Sequence, residues 1–276
     1  MEWTTAASAA ARVGYQAYNH RRTIQKYWTK AKALVDVGDT QIVITGHAGA
    51  GKTMLAGQMH GRARELVYEL PGESRDVEVA AITAGQWTKL VRVLPGQPGH
   101  RSKGELEAFY QNENLEGVIH VVDFGYVMPR DLVVKDTLIN RDGVDTVDKL
   151  RARNLKLEIE YLKVLLSDIR RLQDTHGRPK WLVIAANKVD LFAADRQAAL
   201  NHYHPEGTGD FGRTLKEFQW QVGAKHFEIH VSQACAYETD FSWNGNEVKS
   251  LLPRQEQDVI LREFMGSIAA ISETHE

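Results

Sequence analysis

The fold of this chain is decided by one segment, Gly46-His47-Ala48-Gly49-Ala50-Gly51-Lys52-Thr53. It fits the pattern G-x-x-x-x-G-K-[ST], in which glycines let the backbone curl until successive N–H groups point at bound phosphates. An apolar strand is predicted before it at residues 41–45, and a helix is predicted to begin near Lys52 with its positive dipole end towards the phosphates. We expect Lys52 to reach the terminal phosphates and the Thr53 hydroxyl to ligate magnesium. The segment therefore predicts a nucleoside triphosphate site without specifying the base.

A second motif specifies the base. It reads Asn187-Lys188-Val189-Asp190 and follows a predicted apolar strand at residues 181–186. A carboxylate there can accept hydrogen bonds from guanine N1 and the exocyclic amine, whereas adenine has no matching donors and would leave Asp190 unpaired. Asn187 and the stem of Lys188 are expected to brace the loop and cover the base. The alternative is an exposed turn after a strand, but the preceding order of strands favours a guanine site.

Strand and helix patterns alternate along the rest of the chain. Further strands are predicted at residues 77–83, 88–94, 117–122 and 226–231, and helices at residues 148–173 and after Pro253. The pair within residues 77–94 is joined by a tight turn, which predicts one antiparallel strand. The sequence thus predicts an α/β fold with a mostly parallel central sheet, helices on both faces and one antiparallel edge strand.

Composition excludes several classes of protein. The chain of 276 residues is 43% hydrophobic and 25% charged, with a formal net charge of -2, which is ordinary for a soluble globular protein. A near-neutral charge predicts no strongly basic surface, so we expect no nucleic-acid partner. The single cysteine, Cys235, excludes an internal disulfide. The sequence has no apolar run of about 18 residues, so no membrane-spanning helix is predicted. We therefore expect a cytoplasmic protein.

With both motifs in place, the chain resembles the Ras-like small GTPases, especially the Arf-like and bacterial gliding-polarity branches. The resemblance covers residue 41 to the C-terminus, with insertions. It implies a P-loop GTPase fold that binds GTP or GDP with Mg²⁺ and hydrolyses GTP slowly. It also implies nucleotide-dependent loops that signal to a protein effector or activator.

The resemblance assigns a final base-contacting element to Ser232-Gln233-Ala234. The family has a Ser-Ala-Lys triplet after a strand, and this chain keeps only the serine. Gln233 is therefore expected to offer a backbone contact alone.

The resemblance also places the catalytic segment at Val93-Leu94-Pro95-Gly96-Gln97. Gly96 would give its N–H to the terminal phosphate and Gln97 would orient the attacking water, as in related enzymes. Val93 replaces the aspartate that usually tethers magnesium, a departure shared by the gliding-polarity GTPases. Asp123, on the next strand over, is expected to have a structural role instead. No threonine occurs between Met54 and Ile82, so Ser74 is the candidate for the switch hydroxyl.

These departures leave an alternative open, a GTP-binding interaction or scaffold module that does not hydrolyse its nucleotide. An ATP-driven motor is disfavoured by Asp190 and by the apolar strand end at Val93. A measurement of GTP turnover would distinguish a GTP-hydrolysing switch protein from the non-hydrolysing module.

The expected domain organisation has two parts. Residues 1–39 are predicted to form a basic amphipathic helical extension that packs on the second part, with peripheral membrane contact as the less favoured alternative. Residues 40–276 are predicted to form the GTPase domain, with insertions at about residues 124–146 and 192–223. The insertions are expected either to recognise a partner or to be surface decoration, and the sequence does not specify an oligomeric state.

Overall fold

The computed structural model describes residues 41–60, 78–84, 87–94, 112–223 and 226–275. The described residues contain a six-stranded sheet in the order β2-β3-β1-β4-β5-β6. Its strands are β1 (Ile42–Thr45), β2 (Glu78–Ala84), β3 (Trp87–Val93), β4 (Gly117–Val122), β5 (Trp181–Ala186) and β6 (Glu228–Gln233).

Strand direction confirms the predicted fold class. Five strands run parallel to one another, in the order β3, β1, β4, β5 and β6. The edge strand β2 pairs with β3 in the antiparallel direction. In the centre of the sheet, Ile44 lies opposite Val93 on one side and Ile119 on the other. The sheet is mostly parallel, with one antiparallel edge strand, as predicted. Placement in the gliding-polarity branch stays a prediction.

Helices connect and cover the strands. They are α1 (Lys52–His60), α2 (Leu132–Asp136), α3 (Val147–His176), α4 (Arg196–Tyr203), α5 (Asp210–Val222) and α6 (Arg254–Thr274). A π-helical turn, Thr137–Arg141, and a 3₁₀ segment, Val189–Asp195, complete the helical elements of the described residues. Among the described residues, no helix combines the length and apolar character needed to cross a bilayer.

Both faces of the sheet are buried because successive side chains of a strand point to opposite sides. On one face, Val43 belongs to a core that includes Leu166 of α3 and Leu215 of α5. On the other face, Ile42 and Ile44 belong to a core built with α1 and α6, which includes Leu55 and Phe264. Strands covered on both faces read as nearly continuous apolar runs, which is why the sequence pattern located them.

The last strand differs from its prediction at residues 226–231. In the structure, β6 begins at Glu228, opposite Trp181, and continues to Gln233, opposite Ala186. His226 instead closes a turn by donating its N–H to the carbonyl of Gly223. Phe227 is fully buried although it precedes the strand. The apolar run in the sequence therefore begins before β6, and the predicted strand started too early.

The two predicted insertions contain regular structure. Residues 124–146 hold α2, and residues 192–223 hold α4 and α5. A small antiparallel hairpin, β7 (Phe241–Trp243) and β8 (Asn246–Val248), was not predicted, although its Asn244-Gly245 turn is a strong hairpin signal. Trp243 Nε1 donates to the carbonyl of Val144 over 2.9 Å, so the hairpin is fastened to the first insertion.

Several predictions lie outside the described residues. They concern the extension at residues 1–39 and the candidate residues Ser74, Gly96 and Gln97.

Candidate functional site

The phosphate loop lies between the end of β1 and the start of α1, as predicted. Gly46, Gly49 and Gly51 have positive φ angles of 136°, 86° and 94°. A Cβ atom on Gly46 would lie 2.3 Å from the carbonyl oxygen of Val121, and one on Gly51 would lie 2.3 Å from Nδ2 of Asn187. Glycine is therefore required at these positions by backbone conformation and by close packing.

Lys52 begins α1 and folds back over the loop. Its side chain is buried, and Nζ donates to the carbonyl oxygens of Gly46 (2.9 Å) and His47 (3.0 Å). The ammonium thus lies at the centre of the curled backbone, where phosphate oxygens would replace these carbonyls as acceptors. Thr53 follows it and lines the adjacent cavity.

Asn187 links the phosphate loop to the base motif. Its Nδ2 donates to the carbonyl of Ala50 (2.8 Å), and its Oδ1 accepts from the N–H of Ala236 (3.0 Å). The side chain is only 2% exposed. One amide therefore holds together the phosphate loop, the end of β5 and the segment that follows β6.

Asp190 lies in the 3₁₀ segment after β5. Its carboxylate accepts from the N–H of Thr239 at 3.3 Å and from Sγ of Cys235 at 3.4 Å. The residue is 1% exposed and still lines the cavity, so its carboxylate faces a confined space. A buried carboxylate requires donors, and guanine supplies two.

The residues predicted to contact the base, Ser232 and Gln233, lie at the end of a strand in the structure. They belong to β6 and are absent from the described residues that line the cavity. Ala236 and Tyr237 line it instead. The cause is the longer β6, because the segment that leaves the strand begins only after Gln233.

Side chains that the sequence pattern does not single out hold the segment that follows β6. Gln58 of α1 donates from Nε2 to the carbonyl of Ala236 (2.8 Å), and Gln257 of α6 donates to the carbonyl of Cys235 (3.1 Å). The run of small residues Ala234-Cys235-Ala236 after a strand is the signal that would have located it.

A single cavity of about 490 Å³ joins these parts. Its volume lies within the usual range for small-molecule sites. It extends from the phosphate loop to Asp190, and residues of the first insertion and Phe241 of β7 also line it. The lining residues are Ala48, Gly49, Gly51, Lys52, Thr53, Met54, Tyr126, Val127, Met128, Pro129, Arg130, Leu132, Lys135, Asn187, Lys188, Asp190, Leu191, Ala236, Tyr237, Thr239, Asp240 and Phe241.

Lys188 has a left-handed backbone, with φ of 62°. Its Nζ lies 2.7 Å from Oδ2 of Asp123 and also donates to the carbonyl of Tyr126. Burial alone would raise the pKa of Asp123, but the charge of Lys188, the neighbouring His47 and hydrogen bonds with Lys188 and Glu158 together outweigh burial, so this pKa lies below its ordinary value. Asp123 thus has the geometry of a structural partner for the base motif.

His47 lies within the phosphate loop and is also buried. Its Nδ1 contacts the carbonyl of Ala48 at 2.6 Å, and its ring stacks on Tyr161. Burial lowers the pKa of His47, which keeps its imidazole neutral at pH 7. The charge that the loop offers to an anion therefore comes from Lys52 and not from this histidine.

The comparisons with known proteins give structural similarity only. No protein-family model matches the sequence, and no curated protein matches it. In structure, the chain is similar to a chain of the mammalian SRP receptor, with 18% identity and a TM-score of 0.43, covering 71% of this chain and 91% of that one. It is also similar to the Arl6 small GTPase from Trypanosoma brucei, solved with the nucleotide analogue GppNp, with 16% identity and a TM-score of 0.40, covering 83% and 98%.

Few of the described residues near the phosphate loop could bind a metal ion. Val93, at the position of the missing aspartate, is 2% exposed and belongs to the apolar core that includes Ile44 and Leu55. The described part of the chain holds no group of three His, Cys, Asp or Glu residues that could bind a metal ion. Thr53 supplies a hydroxyl at the cavity wall, where phosphate oxygens of a bound nucleotide would supply further ligands.

Proposed function

We propose that this protein binds GTP and GDP and hydrolyses GTP to GDP and phosphate. One observation carries the proposal, the position of Asn187 between Ala50 of the phosphate loop and Ala236 of the base-facing segment. This bond pair places the buried carboxylate of Asp190 and the phosphate loop on one cavity. A nucleotide with a guanine base satisfies both ends of that cavity at once.

Different groups of the cavity would bind the phosphates and the base of the nucleotide. The glycine cradle offers backbone N–H groups, and Lys52 offers an ammonium to the phosphate chain. Asp190 would accept from guanine, and the stem of Lys188 would cover the ring. Ala236 and Tyr237 take the position that the sequence pattern assigns to Ser232 and Gln233.

Hydrolysis would depend on positioning and charge stabilisation. Lys52 and the loop N–H groups would stabilise charge on the terminal phosphate, Gly96 would add its N–H, and Gln97 would orient the water. Thr53 would hold a magnesium ion, with Ser74 as the candidate second hydroxyl. When bound, magnesium would neutralise phosphate charge.

A switch role requires a partner, and we propose a protein effector or activator. Leu132 and Val133 on α2 are 78% and 74% exposed, beside a cavity wall that includes Leu132. Exposed apolar residues next to a ligand site are a common feature of interaction surfaces.

The test is calorimetric titration with GDP, GTP and ATP, followed by measurement of phosphate release. Guanine nucleotides should bind far more tightly than ATP, and Lys52→Ala should lose most of the affinity that depends on phosphate. Lys163→Ala, on the exposed side of α3, is the matched control. Equal affinities for GTP and ATP would overturn the proposal.

The second candidate is a non-hydrolysing GTP-binding module. The buried, apolar Val93 favours it, because that position cannot hold a water that bridges to a metal ion. Tight GTP binding without phosphate release, with and without cell-extract activators, would select this candidate.

A further inference from the structure

Behind the base motif lies a buried cluster that nucleotide binding by the two motifs does not explain. We call Asp123, Glu158 and Tyr203 the acid–tyrosine cluster. Glu158, in the middle of α3, is 1% exposed and accepts at Oε1 from the N–H groups of Asp123 and Gly125, each at 3.2 Å. Its Oε2 accepts from the hydroxyl of Tyr203 at 2.7 Å.

The cluster holds a strained turn in place. The hydroxyl of Tyr203 accepts from the N–H of Phe124 at 2.8 Å, so Glu158 and Tyr203 bind three successive backbone N–H groups. Phe124 and Gly125 have φ of 53° and 82°, and a left-handed conformation is costly for phenylalanine. The same turn presents the Asp123 carboxylate and the Tyr126 carbonyl to Lys188.

The charges of the cluster do not balance if both acids are ionised. Asp123 and Glu158 are both buried, and the Lys188 ammonium contacts only Asp123 of the two. Neighbouring buried carboxyls favour retention of one proton. Burial, and then the charge of Asp123, raise the pKa of Glu158 to about 8. Oδ1 of Asp123 is buried without a donor among the described residues, and a protonated Glu158 beside it supplies one.

We propose that Glu158 and Tyr203 are positioning residues for nucleotide binding, which fix Lys188 through a proton shared between Glu158 and Asp123. This inference rests on the proposed function, since it assigns a second layer of residues to the same site. The chain of contacts runs from α4 and α3 to the turn after β4, then to Lys188 at the cavity.

The cluster makes nucleotide affinity depend on pH. The groups around Glu158 are Asp123 and Tyr203, with Lys188 and His47 beyond Asp123. The pKa of Tyr203 lies well above its ordinary value and that of His47 lies below it, so both stay neutral between pH 7 and 9. Glu158 is the member that gains charge there, which removes the donor to Asp123 and adds a negative charge near an anion site.

The experiment is calorimetric titration of GDP between pH 6.5 and 8.8. In the parent, affinity should fall about fourfold as pH rises through the range, which is the part of a one-unit rise in the Glu158 pKa on nucleotide binding that is reached by pH 8.8. Glu158→Gln keeps the shape, stays neutral and retains an oxygen that can accept from the N–H groups of Asp123 and Gly125, so its affinity should be flat with pH and equal the parent's at pH 6.5. Tyr203→Phe should bind GDP roughly threefold to tenfold more weakly at pH 7.

Glu160→Gln on the exposed side of α3 is the matched control, and it should follow the parent. Any ionisation of guanine itself affects all variants equally and cancels in the comparison. Parallel pH profiles for the parent and Glu158→Gln overturn the positioning role while the proposed function stands. Absence of GDP binding in every variant overturns the proposed function and the positioning role together.

A ligand-free measurement tests the shared proton separately. The folded pKa of Glu158 lies above its ordinary value of 4.5, so its stabilising effect is complete below pH 4.5 and is lost as pH rises to about 8. The parent's free energy of unfolding should therefore decline across that window relative to Glu158→Gln. A constant difference between the two proteins would overturn the shared proton.

Discussion

Asn187 donates a 2.8 Å hydrogen bond to the carbonyl oxygen of Ala50, although the two residues are 137 positions apart in the chain. The bond is buried, and it joins the loop that would hold phosphates to the motif that would select the base. Stability of the fold and affinity for a nucleotide are therefore expected to depend on the same side chain.

Replacement of Asn187 by alanine should reduce both properties. The change removes the donor to Ala50 and the acceptor for Ala236, which leaves two buried backbone groups unpaired at a cost of about 2 kcal/mol or more. Chemical denaturation measures the stability and GDP titration measures the affinity. Asn201→Ala, whose amide bonds to the exposed Gln197, is the control and should change neither. Equal effects of the two variants would contradict the linking role.

A methyl group on Gly51 should be similarly harmful. Gly51→Ala would place Cβ 2.3 Å from Nδ2 of Asn187 on a backbone with φ of 94°. We expect a loss of about 1–3 kcal/mol from the strained backbone, with more from the clash, and a large drop in GDP affinity. Gly266→Ala is the control, because no atom beyond its own stretch of helix backbone lies within 4 Å of its Cβ position in α6, and alanine favours a helix. A thermal melt of both variants shows whether the effects have opposite signs, as expected.

The sequence located the parallel strands because each is buried on both faces and reads as an apolar run. It placed the two motifs after predicted strands, and in the structure both line one cavity. It did not locate the acid–tyrosine cluster, since Glu158 and Tyr203 occupy ordinary helical positions and meet only through tertiary packing. It also ended the last strand at residue 231, whereas β6 continues to Gln233, because the end of β6 is set by its register with β5 and not by its own composition.

Asp190→Asn should change base preference. The amide presents a donor where guanine also donates, whereas xanthine has an oxygen at that position, so affinity should shift from GTP towards xanthosine triphosphate. Loss of paired hydrogen bonds to a buried carboxylate predicts a fall in GTP affinity of about 2–3 kcal/mol. Competition binding of GTP, xanthosine triphosphate and ATP measures the preference. Asp195→Asn, in the same 3₁₀ segment, is the control. An unchanged order of affinities in Asp190→Asn would remove Asp190 from the base site.

The last prediction concerns magnesium. Val93 lies in the apolar core, so we expect magnesium to be held by Thr53, phosphate oxygens and solvent, and to be released more readily than from a site with an added carboxylate. Thr53→Ala should therefore raise the magnesium concentration needed to slow GDP release.

Val93→Asp tests the same site in the opposite direction. Burial would raise the pKa of the new acid and destabilise the ligand-free protein by about 3 kcal/mol, because a carboxyl enters an apolar cluster. Magnesium and GDP together should recover part of that loss if the carboxylate reaches the metal-bound water. The measurement is GDP release against magnesium concentration for the parent and both variants, with Val164→Asp on the exposed side of α3 as the control for an added charge. If Thr53→Ala leaves the magnesium dependence unchanged, the site is wrongly placed; if Asp123→Ala abolishes it instead, the metal lies against β4 and not beside β3.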